Sequence, residues 1–241
     1  MPRKPIDEAS KPGLSDAGLA VVRAAAGSIP VVGAAAQELI AFVVTPPLER
    51  RRNEWLNRLA VDLDELQRKV DAFDVAALSE NEDFISAITA GVTVATRSAQ
   101  EEKRDLLRNA VINSALGRVP LFDMQSVFIG YLEYLSPLHV QLLWAFENPR
   151  VALEKAGSRL EESLFMSAAP SQVVEELFPQ LKGQRDVYDF LWQDLFQRRL
   201  VNSDSLHGMM TKEGVLSART SALGNQFLAF LSEPPELATG A

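Results

Sequence analysis

The sequence predicts a mainly α-helical chain in two parts, and three observations carry that prediction. Leu56, Leu59, Leu63, Leu66, Val70 and Phe73 recur in steps of three and four, which places all six on one stripe of a helix. Prolines and capping residues punctuate the chain at helix-length intervals, as at Ser136-Pro137 and Asn148-Pro149. Before Pro149 no segment alternates apolar and polar residues as a half-buried strand would. With 241 residues, 47% hydrophobic and 23% charged, the composition is that of an ordinary folded chain.

Residues 1–14 combine three prolines with scattered charges and little to bury, and read as a flexible tail. Ser15-Asp16 opens a short apolar helix that stops at Gly27-Ser28-Ile29-Pro30. A second helix is expected from Val31 to Val44, ended by Pro46-Pro47, and Pro47 then opens the long striped helix that runs to Phe73. After a break at Asp74 to Asn81, a helix from Glu82 to Thr96 turns Phe84, Ile85, Ile88, Val92 and Ala95 to one side. Ser98 with Glu101 has capping-box spacing for a helix ending near Gly117, and a further helix follows from Phe122 to Tyr134. These elements form an expected α-helical bundle over residues 15–135, with an apolar Gly/Ala-rich helical hairpin at its start.

Residues 136–232 form the second part. Ser136-Pro137 caps a helix ending before Asn148-Pro149, and a charged stretch then leads to a short helix between Pro170-Ser171 and Pro179. A longer helix is expected from Arg185 to Arg199, carrying Val187, Phe190, Leu191, Leu195 and Phe196. Met209-Met210 and Val215-Leu216 are two short apolar runs around Lys212-Glu213-Gly214, the pattern of a small β hairpin. A last helix from Thr220 to Leu231 precedes a polar tail at 233–241.

Helices, a hairpin and a closing helix follow the order of a winged helix-turn-helix domain. Ser136-Pro137-Leu138-His139 with Leu142-Leu143, the run from Leu195 to Val201, and Arg219-Thr220-Ser221-Ala222-Leu223-Gly224 resemble the winged-helix regulators of the MarR and ArsR type. The fold class is therefore an N-terminal helical bundle followed by a winged-helix-like domain of helices and a hairpin. The resemblance implies a recognition helix over 185–199, with Gln193, Gln197, Arg198 and Arg199 as its DNA contacts. Asp186, Asp189 and Asp194 on that same helix would oppose a polyanion.

Composition then narrows the functions. The formal charge is -8, shared evenly by residues 1–135 and 136–241, so neither part is a basic nucleic-acid module. With no cysteine, thiolate metal sites and cysteine nucleophiles are excluded. The two histidines, His139 and His207, lack a carboxylate or second His at helical spacing, and no phosphate-binding glycine loop or Gly-x-Ser-x-Gly occurs. We expect no enzyme activity, no cofactor and no metal. Two other features suggest contact rather than chemistry. The Leu56 to Phe73 seam could pair with a second helix. Ile29, Val31, Val32, Ile40, Phe42, Val43 and Val44, followed by Arg50, Arg51 and Arg52, could place residues 17–48 on a membrane with the arginines at phosphate headgroups. The weak signal-peptide character of the N-terminus points to the cytoplasm. The resulting expectation is a non-enzymatic protein acting through protein–protein contacts or self-association. A membrane-active effector and a DNA-binding regulator are the alternatives.

Overall fold

The computed structural model describes residues 34–120, 124–164 and 168–238. Eleven α-helices are present among them, with no β-strand. The helices are α1 (Ala34–Lys69), α2 (Glu82–Arg97), α3 (Glu101–Ala115), α4 (Met124–Tyr134), α5 (Pro137–Glu147), α6 (Pro149–Lys155), α7 (Leu160–Ser163), α8 (Ser171–Leu177), α9 (Arg185–Gln197), α10 (Lys212–Val215) and α11 (Ala222–Leu231). Contacts divide the chain into residues 1–54 and 55–241. The described part of the first unit is the opening of α1, where Arg50 pairs with Glu54 at 3.8 Å across one turn.

The helix break expected at Pro46-Pro47 does not occur: α1 is continuous from Ala34. A proline ring is compatible with helical φ, and its cost to an interior helix is a missing N–H and a clash with the preceding turn. At the other end α1 stops at Lys69, earlier than the apolar stripe suggests. There Gln67 Oε1 accepts from Val75 N at 2.8 Å and Asp74 Oδ1 from Ala76 N at 2.9 Å, so polar side chains draw the backbone into a turn.

In residues 55–241 the stripe packs inward. Leu59, Leu66 and Phe73 are buried, and Leu56, Leu63 and Val70 pack against the same core. Trp55 joins them and donates its indole N–H to Arg104 O at 2.9 Å. The stripe is thus an internal face, and its apolar surface is used within the chain. Arg58 reaches Glu101 at 2.7 Å, which removes Glu101 from the expected capping box; Gln100 is the residue at the N-cap of α3, and Ser98 Oγ instead accepts from Gln100 N at 3.2 Å.

The packing is continuous across residue 135. α2 packs on α3 and α4, α11 on α3 and α5, and α9 on α5. Phe128 of α4 meets Phe227 of α11 edge-on at 5.1 Å, and Phe146 of α5 meets Trp192 of α9 at 4.8 Å. Buried Asn113 of α3 donates to Phe230 O at 3.0 Å and Ser232 O at 2.9 Å, so it satisfies carbonyls at the end of α11. Residues 233–238, read from sequence as part of a tail, are anchored: Lys69 Nζ donates to Glu236 O at 2.9 Å, Arg118 pairs with Glu236, and Pro234 is buried.

The expected β hairpin is replaced by a helical turn. Met210 forms its bridge with Ala168, and Val215 lies in α10. Thr211 Oγ1 caps α10 by accepting from Gly214 N at 3.2 Å, and the buried Arg219 guanidinium donates to Gly214 O at 2.8 Å. The stretch from Arg150 to Ser163, read as charged connection, contains helices α6 and α7.

Candidate functional site

Asn148 ends α5 and caps α6, its Oδ1 accepting from Val151 N at 3.3 Å while Pro149 supplies the first helical residue. This one-residue corner makes two helices diverge and leaves a groove between them. The end of α8 closes the third side with Leu177 and Phe178. The groove has a volume of about 380 Å3, and Trp144, Ala145, Val151 and Ala152 line it from α5 and α6. Trp144, Leu177 and Phe178 are each half-buried, with one side in the core and the other on the groove. Glu147 and Lys155 stand exposed at its rim, and neither has an ion-pair partner among the described residues. An apolar cleft of this size with charges only at the edge suits the uptake of large apolar side chains.

A second constellation lies at the opposite end of α5. Ser136 N–H donates to His139 Nδ1 at 3.0 Å, and Ser136 Oγ lies 2.8 Å from the same nitrogen. On the other side of the ring, Nε2 is 3.4 Å from Asp194 Oδ2, within ion-pair range but without hydrogen-bond alignment. Asp194 also pairs with Arg198, whose guanidinium lies 5.8 Å from the centroid of the Tyr131 ring. Burial pushes the His139 pKa down, assisted by Arg198 and Lys103 and opposed by the Asp194 charge and, less strongly, by the Ser136 backbone. Serine, histidine and aspartate are the residue types of a nucleophilic triad. Here, however, Nδ1 already accepts a backbone N–H, and Ser136 with His139 at N3 forms a capping box for α5.

His207 acquires a partner in the same way: its Nε2 lies 2.7 Å from Asp189 Oδ1, and its ring is beside Tyr188. Both histidines therefore meet carboxylates of α9, and neither pairing has a local spacing by which the sequence could signal it. Among the described residues, no group of three or more His, Cys, Asp or Glu could hold a metal ion.

Arg50 and Arg52 are exposed and Arg51 half-buried on α1, and Arg50 is already paired. Ile40, Phe42, Val43 and Val44 also fall in α1, whereas Ile29, Val31 and Val32 lie outside the described residues. No helix among the described residues is long and apolar enough to cross a membrane. On α9, Gln193 donates to Asp204 O and Arg198 is engaged by Asp194, leaving Gln197 and Arg199 exposed at the helix end. The groove itself was missed from sequence. Its signal was Trp144 close to Asn148-Pro149, but the contribution of Leu177 and Phe178 depends on tertiary packing. No family model matches the chain, and neither the curated proteins nor the solved structures give a match.

Proposed function

We propose that this chain is a non-enzymatic interaction protein that holds an amphipathic helix of a partner protein in the groove between α5, α6 and α8. The observation that supports this reading is the apolar lining by Trp144, Val151, Leu177 and Phe178 between the unpaired charges of Glu147 and Lys155. Helix-in-groove recognition uses two or three apolar anchors at i, i+3 or i+4, and i+7, and the rim charges orient the incoming helix. Val151 is 38% exposed, so it can be changed without opening the core.

The test is selection of helical peptides displayed on phage against the full chain, with counter-selection against Val151→Glu. The reading expects enriched peptides with helical apolar spacing whose affinity falls at least tenfold against that variant, because a carboxylate would enter an apolar contact. Peptides that bind both proteins equally, or no enrichment, would overturn it. Circular dichroism of Val151→Glu should match the wild type, which separates lost binding from lost fold.

A further inference from the structure

We infer that His139 is a proton-operated latch: taking up a proton at Nδ1 breaks the cap of α5 and rearranges its junction with α9. The inference is independent of any partner in the groove. A ring nitrogen that accepts a backbone N–H carries no proton, so the neutral imidazole of His139 holds its proton on Nε2, toward Asp194. The ring is buried at 4% exposure, and Nε2 has no aligned hydrogen-bond acceptor.

The next proton can enter only at Nδ1, where it meets the Ser136 N–H. Two donors cannot share that space, so the backbone bond that closes the capping box is lost. Ser136 Oγ, 2.8 Å away, is the acceptor in reach of the new Nδ1–H, while Ser136 N–H is left without a partner. The positive ring then draws on Asp194, which is already paired with Arg198. One proton thus changes both ends of the ring's contacts, on two different helices.

The charged surroundings decide the direction. From α9 and its C-cap the ring faces Asp194 and Arg198, and from α3 it faces Lys103, a buried ammonium whose hydrogen bond is to Glu133 O at 3.4 Å. α11, which also packs on α5, carries no titratable side chain, and Arg150, Glu154 and Lys155 of α6 are exposed beyond the far end of α5. Burial, helped by the Arg198 and Lys103 cations, outweighs the shared Asp194 carboxylate and the Ser136 backbone, so the ring's pKa lies below the ordinary histidine range. The folded pKa is therefore lower than the unfolded value of about 6.5. Below that value the unfolded chain binds more protons than the folded one, so stability falls with acidification until the folded pKa is passed.

Nitrogen-detected NMR of both histidines in the full chain, from pH 7.5 to 4.5, tests the latch without a mutation. The expected result is an Nε2–H tautomer for His139 at neutral pH, a midpoint below 6.5, and a Ser136 amide resonance that moves with that midpoint. An Nδ1–H tautomer, a midpoint at or above 6.5, or a Ser136 amide indifferent to the titration would overturn the inference. His139→Gln supplies the second readout. Glutamine at N3 completes a capping box without a titrating group, so its thermal midpoint should fall less than that of the wild type between pH 6.5 and 5. An equal fall in both proteins would contradict the latch. Asp194→Asn should move the His139 midpoint lower still, and an upward move would also contradict it.

Discussion

Gly224 shows how far single residues constrain this chain. A Cβ at this position would lie 2.1 Å from Leu200 O, a backbone atom that cannot yield, and Ser221 N donates to that same oxygen at 2.9 Å. Gly224→Ala should therefore cost about 3 kcal/mol, at the upper end of overpacking penalties, as a lowered denaturant midpoint. Ser221 Oγ accepts from Gly224 N at 2.9 Å, so Ser221→Ala should cost about 1 kcal/mol in the same measurement. Asn113→Ala should cost about 2 kcal/mol, because it strands two carbonyls at the end of α11. Of the local signals, Ser136 before Pro137 was legible in the sequence, whereas the last helix, expected from Thr220, is capped by Ser221 and begins at Ala222. The pairings of His139 with Asp194 and of Asn113 with Phe230 were not legible, since 55 and 117 residues separate the partners.

At the scale of elements, periodicity was a better guide than punctuation. The stripe from Leu56 to Leu66 marks the face of α1 that packs on the core, because burial on one side of a helix recurs every three to four residues, whereas Val70 and Phe73 reach the same core from beyond the helix end at Lys69. Pro46-Pro47 read as a helix end and was not, since proline penalises a helix without forbidding it. The hairpin failed for a different reason. Met209-Met210 and Val215-Leu216 have the composition of paired strands, but Ala168 takes the Met210 bridge and Arg219 holds the Gly214 carbonyl. Removing that guanidinium should loosen α10. In Arg219→Ala, hydrogen exchange at Val215 and Leu216, whose amides bond to Thr211 O and Lys212 O, should rise at least tenfold relative to α3. Unchanged protection there would mean that Thr211 alone secures the turn.

Across residues 55–241 the core runs from Trp55 to Leu231 as one cluster. The composition anticipated a folded chain, periodicity its helices, and the cap signals a new start at Ser136. They could not show that α11 returns to α3 and α4, because aromatic contacts such as Phe128 with Phe227 have no sequence period. A fragment comprising residues 136–241 should therefore fail to fold alone, giving poorly dispersed amide resonances, whereas residues 55–241 should unfold in one calorimetric transition. The same packing leaves an apolar groove where α5 and α6 diverge at Asn148. Partner binding in that groove is tested most directly by mapping amide shifts on the full chain while a selected peptide is added. The account predicts shifts concentrated at Trp144, Val151, Ala152, Leu177 and Phe178. Shifts concentrated instead on the exposed side of α9, around Val187 and Phe190, would contradict it.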